Sequence, residues 1–89
     1  MSARYTVVFS KVAQEKFDQC IQTNRKVGEQ IAKAIDRLAL NPQLGEFLKG
    51  SWVGYYKYRT GRYRIIYRLE HARLVIYIIT IGDRKDVYR

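Results

Sequence analysis

The sequence is poor in the residues that most often build an enzyme site. It has one cysteine, Cys20, so no disulfide can form within the chain. Such usage fits a reducing cytoplasm. Its one histidine, His71, stands beside Glu70 in a predicted turn, where a solvated side chain is the ordinary outcome. Without a Cys/His cluster there is no zinc-site spacing, and no Gly-rich loop has P-loop spacing. Ser2, Ser10 and Ser51 lack the partners of a triad. Hydrophobic runs are short as well. The longest uncharged stretch, Leu74 to Gly82, is nine residues, against ~20 for a helix that crosses a bilayer. The opening MSARYTVVFS has no apolar stretch of signal-peptide length. The expectation is a cytoplasmic, soluble protein with no membrane, metal or cofactor. One proline and six glycines among 47% hydrophobic residues argue for a folded chain rather than a disordered one.

Acidic residues are scarce too. There are 8 Asp+Glu against 17 Lys+Arg, a net charge of +9. The imbalance is uneven: residues 1–44 carry 7 basic and 4 acidic side chains, and residues 45–89 carry 10 and 4. Seven of the eight tyrosines and the only tryptophan also lie in the second half. Clustered cations with interleaved aromatics suit a polyanion, either nucleic acid or an acidic protein segment. A basic protein with a solvated surface would show the same composition.

The 89 residues are read as one domain, 1–89, with no linker, repeat or low-complexity segment. Tyr5 to Phe9 is short and β-rich. Ser10 can cap a following helix, whose stripe is Ala13, Phe17, Cys20 and Ile21. Thr23-Asn24 breaks it. Val27, Ile31, Ile35 and Leu38 form a second stripe, which Asn41-Pro42 ends. Tyr55 to Arg59, Tyr63 to Leu69 and Leu74 to Ile81 then read as three strands joined by two hairpins. The expected class is α+β, ordered β-α-α-β-β-β. A helical hairpin packs on one face of an antiparallel sheet, and the other face is left for a partner.

If Thr60-Gly61 is a two-residue turn, Arg59 faces Arg62 and Lys57 faces Arg64. All four cations then share one strand face, and Tyr56, Tyr58, Tyr63, Ile65 and Tyr67 take the other. Like charges opposite one another destabilise a sheet. They either splay into solvent or cradle a phosphate. Glu46, in the middle loop, is expected to be exposed. Catalysis by this chain would therefore fall to Arg, Lys, Tyr or Asp. Phosphoryl transfer can work that way when the substrate brings its own nucleophile, as the 2′-hydroxyl of RNA does.

The element order, the stretch LKGSWVGYYKYRTGRYRIIYRLE and the close IITIGDRKDVYR together resemble the RelE/ParE toxin superfamily, on the RelE side. The resemblance covers essentially the whole chain. It rests on Arg59, Gly61, Tyr63, Arg64 and Tyr67 in one segment, and on Gly82, Arg84 and Tyr88 in the other. What it implies is a RelE-like mRNA interferase: the toxin of a type II toxin–antitoxin system, cutting messenger RNA in the ribosomal A site. By position, Lys57 matches a lysine that serves as base or phosphate ligand. Arg64 matches the arginine that holds the scissile phosphate, and Arg84 the one that assists the leaving oxygen. Tyr88 matches a terminal tyrosine that stacks on a base. Arg59, Arg62, Tyr55 and Lys85 would contact RNA. Asp83 stands where many relatives have histidine and is read as a modulator, either a base or a partner of Arg84. A lysine among Arg59, Arg62 and Arg64 is expected to have its pKa lowered by like charge.

The implied partners are a RelB-like antitoxin with an acidic, amphipathic segment and the message on the ribosome. Operator DNA would be reached only through the antitoxin complex. Two other readings stay open: a ParE-like gyrase poison, or a weakly catalytic homologue that mainly binds its antitoxin. If the terminal tyrosine serves as the resemblance implies, deleting Val87 to Arg89 abolishes growth inhibition in cells induced to make the chain. Unchanged inhibition would show that these residues are dispensable.

Overall fold

The computed structural model describes residues 4–83. Strand β1 (Thr6–Phe9) leads into helix α1 (Lys11–Thr23) and helix α2 (Arg25–Leu40). Strands β2 (Glu46–Phe47), β3 (Tyr56–Thr60), β4 (Tyr63–Glu70) and β5 (Val75–Asp83) follow.

One residue makes the bend between the helices. Asn24 donates its backbone N–H to Cys20 O at 2.8 Å, closing α1. Its side chain accepts from Val27 N at 3.3 Å, opening α2. Asparagine suits both tasks, because its short amide satisfies backbone groups that a helix end leaves orphaned. The helices then approach closely at Gly28, where a Cβ would stand 2.7 Å from Ile21 Cγ1. At the far end of α2, Asn41 donates to Arg37 O, and Pro42 starts a 3₁₀ turn.

The five strands form one sheet in the order β1-β5-β4-β3-β2. The α+β class and the helix pair on a sheet hold, and the six expected elements come in the expected order with one strand added. The sheet is mixed, however, and not wholly antiparallel. β1 runs parallel to β5, with Thr6 opposite Val75 and Phe9 opposite Ile78. A two-residue strand, β2, was also not expected; it pairs with β3 at the sheet edge.

Strand β5 contains an irregularity that decides what the sheet buries. Ile66 and Tyr67 are consecutive in β4, but their partners are Thr80 and Ile78. Ile79 is therefore an extra residue, a β-bulge, and the strand changes phase across it. Ile76 and Ile78 before the bulge and Ile81 after it all reach the core, each with 1% exposure or less. Ser10 holds the bulge in place. Its hydroxyl donates to Ile79 O at 2.6 Å and accepts from Ala13 N at 3.0 Å. The cap of α1 and the bulge of β5 thus share one side chain.

The core joins Ala13 of α1, Ile31, Ala34, Ile35 and Leu38 of α2, Ile65 and Tyr67 of β4, and the three β5 isoleucines. Each fully buried large aliphatic side chain contributes about 1.5–3 kcal/mol. Of the stripe expected on α1, Ala13 is buried and Phe17 and Cys20 pack against the core, but Ile21 is 42% exposed. It lies on the flank that meets Gly28.

Tyr67 is the core residue with a polar end. Its hydroxyl donates to Pro42 O at 2.7 Å and accepts from Gly45 N at 3.0 Å. Its ring stacks on Tyr56, with centroids 5.4 Å apart. Burial pushes the phenol up to about 12, and the Gly45 bond offsets part of that rise. The folded state therefore holds this proton more tightly than the unfolded chain. Its contribution to stability is complete below pH ~10, the ordinary tyrosine range, and is lost as pH rises towards about 12. Tyr67→Phe is expected to cost ~1–3 kcal/mol at neutral pH by leaving Gly45 N–H and Pro42 O without their partner. It should also flatten the alkaline limb of a urea-denaturation profile.

Candidate functional site

The face of the sheet away from the helices carries the cations. In the β3–β4 hairpin, Thr60 pairs with Tyr63, so the turn residues are Gly61 and Arg62 rather than Thr60 and Gly61. Gly61 has φ +59° and Arg62 is not among the positive-φ residues, as in a hairpin turn with glycine first. Gln30 of α2 lies against this turn; a Cβ on Gly61 would come 2.7 Å from its Nε2.

The shift of one residue changes the expected pairs. Arg59 faces Arg64, not Arg62, and Lys57 faces Ile66, not Arg64. Alternation still places Lys57, Arg59 and Arg64 together on the open face. The opposite face receives Tyr56, Tyr58, Tyr63, Ile65 and Tyr67, all in or against the core. Arg62 leaves the strand group and joins the turn. Two arginines directly opposite each other are an unfavourable pair, and the half-buried Arg64 is screened less than an exposed charge.

A carboxylate completes the cluster. Glu46 pairs across the β2–β3 ladder with Lys57, and its Oε1 lies 3.2 Å from Lys57 Nζ. Its side chain is 72% exposed, as expected for a loop acid, but it stands on the open face rather than apart from it. The all-cationic surroundings expected for Lys57 are therefore replaced by a carboxylate on one side and Ile66 on the other. A cleft of about 330 Å³ opens here, lined by Leu44, Glu46, Lys57, Tyr58 and Arg59. That is near the lower end of the ~300–1,000 Å³ usual for small-molecule sites.

The Tyr67 hydroxyl delivers Glu46 to this place. It holds Gly45 by its N–H, and glycine is required there. A Cβ on Gly45 would overlap that hydroxyl and come 2.8 Å from Lys57 O. The next residue is Glu46. A two-residue strand has no periodicity that would mark this acid in the sequence. The available signal was Gly45 itself, marking a close backbone approach.

Asp83 is placed differently from the cation cluster. It pairs with Tyr63, so after the bulge it falls on the helix side, while Gly82 faces Arg64 on the open side. Its Oδ2 lies 3.3 Å from Arg62 of the turn. On that side a cavity of about 230 Å³ is lined by Lys16, Cys20, Tyr63 and Asp83, among others. Burial pushes the Cys20 thiol up, partly offset by Lys16. Tyr55, just before β3, is half-buried and meets Trp52 edge-on at 5.5 Å. Arg84, Lys85 and Tyr88 lie outside the described residues. Among the described residues, no group of three or more His, Cys, Asp or Glu is placed to hold a metal ion, and no helix is long and apolar enough to cross a membrane.

The model of the ParE toxin of type II toxin–antitoxin system, parDE, matches residues 7–88. Among solved structures, the chain is similar to one in the toxin–antitoxin complex RelBE2 from Mycobacterium tuberculosis. That pair shares 22% identity at a TM-score of 0.83, over 97% of this chain and 98% of that one. It is also similar to a chain of the YoeB–YefM complex from Staphylococcus aureus, with 27% identity and a TM-score of 0.75, over 90% and 97% of the two chains. A chain of the intact RelBE toxin–antitoxin complex of E. coli has 22% identity and a TM-score of 0.73, over 89% and 95%. No curated protein matches the sequence.

Gly45→Ala tests how Glu46 is positioned. The added methyl has to displace the Tyr67 hydroxyl or the Lys57 backbone, and is expected to cost ~1–3 kcal/mol in urea denaturation. A neutral result would mean that β2 is not locked by this contact.

Proposed function

Because the chain belongs to the ParE toxin family of type II toxin–antitoxin systems, within the RelE/ParE superfamily, we propose that it is an endoribonuclease cutting messenger RNA in the ribosomal A site. The observation that carries this reading is the open-face cluster: Glu46 against Lys57, with Arg59 opposite Arg64. A gathering of cations around one carboxylate, on a face the helices leave uncovered, suits a phosphodiester and the proton acceptor that its cleavage needs.

In this mechanism the 2′-hydroxyl of the substrate attacks the adjacent phosphorus. The new O2′–P bond forms as the P–O5′ bond breaks, giving a 2′,3′-cyclic phosphate and a 5′-hydroxyl end. The attacking hydroxyl gives its proton to the Glu46 carboxylate, or to Lys57 when its amine is unprotonated. Glu46 is the more direct acceptor, with Lys57 beside it as the compensating charge. Arg64 and Arg59 hold the phosphate oxygens, with guanidinium groups that stay protonated and stabilise charge as it develops. Arg84 is proposed to stabilise the charge on the leaving 5′-oxygen, which takes its proton from water, Tyr88 to stack on a base, and Arg62, Tyr55 and Lys85 to contact RNA. Asp83, bound to Arg62, steadies the turn rather than serving as base. The reaction uses no metal or cofactor. The ribosome supplies the remaining positioning groups. A RelB-like antitoxin, acidic and amphipathic, covers the basic face and carries operator binding for the complex, all in the cytoplasm.

A second reading is favoured by the family model, which is that of ParE: a toxin that poisons gyrase. Inducing the chain in cells and mapping RNA 5′ ends separates the two. Cuts confined to translated messages at A-site positions are expected; intact messages with DNA damage would establish the second reading. Growth with neither effect would leave a homologue that only binds its antitoxin. Arg64→Ala should lower cleavage by roughly 10²–10³-fold. Glu46→Gln should lower it by roughly 10²–10⁴-fold if Glu46 is the base, whereas Lys57→Met would take that larger loss if the base is Lys57.

A further inference from the structure

One row of side chains on the open face takes no part in the bond breaking above. Arg68 of β4 pairs with Tyr77 of β5, and Tyr77 pairs with Val8 of β1, so the three share that face. The Arg68 guanidinium lies over the Tyr77 ring, 4.8 Å from its centroid. Glu70 Oε1 accepts from the Tyr77 hydroxyl at 3.2 Å and fixes the ring. On the other side, Tyr55 directly precedes the Tyr56–Tyr67 pair and Arg68 directly follows it. Trp52 braces Tyr55 edge-on, with centroids 5.5 Å apart. The result is a strip of three aromatic rings and one planar cation. Trp52, Tyr55 and Tyr77 are half-buried and Arg68 is exposed.

We infer that Arg68 and Tyr77, with Trp52 and Tyr55, form a second subsite that stacks an unpaired RNA base beside the cleavage site. Aromatic rings and arginine planes are the surfaces on which proteins hold splayed-out bases. The strip also runs along the same strand as the phosphate-holding arginine. Arg64 and Arg68 are four residues apart on β4, about 13 Å at ~3.3 Å per residue. That span accommodates at most about four nucleotides at the ~3.4 Å spacing of a stacked strand, and fewer if the strand is extended. Arg68 can leave Tyr77 to lie on a base, or let the base cover both. The base belongs either to the message or to ribosomal RNA exposed near the A site; the stacking chemistry is the same. This inference rests on the nuclease reading for its ligand, but uses none of the residues assigned to bond breaking.

The test measures binding of a fluorescent, single-stranded 2′-O-methyl RNA oligomer, which lacks the attacking hydroxyl and stays intact. Isolated small ribosomal subunits serve as the second ligand. Variants of the full chain are Trp52→Ala, Arg68→Ala, Arg68→Lys and Tyr77→Phe, each checked for an unchanged melting temperature. Arg68→Lys keeps the charge and removes the plane, so it should weaken binding almost as much as Arg68→Ala, by roughly 5- to 100-fold, the loss expected for one stacked base. Tyr77→Phe keeps the ring but releases it from Glu70, so it should weaken binding less than Arg68→Ala does. Loss on the oligomer assigns the base to the message; loss on the subunits alone assigns it to ribosomal RNA. If Arg68→Lys and Trp52→Ala bind both ligands as tightly as the parent chain, the subsite is wrong, whatever the cleavage assay shows. If the parent binds with these properties but cuts no RNA in cells, the nuclease reading fails and the subsite stands.

Discussion

The fold turns on one hydroxyl. Ser10 caps α1 and, by the same oxygen, holds the carbonyl of the extra residue in β5. Without the bulge at Ile79 a regular strand would keep one alternation throughout. Ile76 and Ile78 would then face the helices while Ile81 turned to solvent, because a slip of one residue exchanges the two faces of a strand. The bulge lets all three isoleucines enter one core. It also sends Gly82 to the open face beside Arg64, and Asp83 to the helix side. The element that settles hydrophobic burial therefore also settles which end groups of β5 can approach the cations. The cost is one irregular ladder position, which the helix cap offsets by satisfying the freed carbonyl.

A second hydroxyl performs the corresponding task at the sheet edge. Tyr67 is buried by the core, and its polar end draws the Pro42–Gly45 segment onto the sheet. Strand β2 begins there, and its first residue carries the carboxylate that meets Lys57. Core packing and site geometry are thus coupled through one side chain. A chain of 89 residues thereby brings a carboxylate to the cations at the edge of its sheet. The antagonism of Arg59 and Arg64 is kept on the face where a polyanion would relieve it.

Much of this was legible beforehand. The helix stripes at Val27, Ile31, Ile35 and Leu38, the capping role of Ser10 and the division of the hairpin into a tyrosine face and a cation face all follow from periodicity. The turn falls one residue later than expected because Thr60-Gly61 and Gly61-Arg62 both offer a glycine, and only the pairing of Thr60 with Tyr63 shows which position it takes. The bulge was invisible because Val75 to Ile81 is apolar almost throughout, so no alternation exists to break. The parallel pairing of β1 was hidden for a related reason: a four-residue strand carries no sign of its neighbour. Glu46 was read as a loop acid because its strand is too short to leave a pattern. What these misses share is a dependence on contacts distant in sequence, which local propensity does not encode.

The central question is whether the open face breaks RNA by internal attack of the 2′-hydroxyl. The direct measurement is the chemistry of the cut ends in RNA from cells making the chain. A 5′-hydroxyl on one fragment and a 2′,3′-cyclic phosphate on the other, both absent when Arg64→Ala replaces the parent, is the predicted result. Fragments bearing 5′-phosphates, or the same ends from the Arg64→Ala chain, would contradict it.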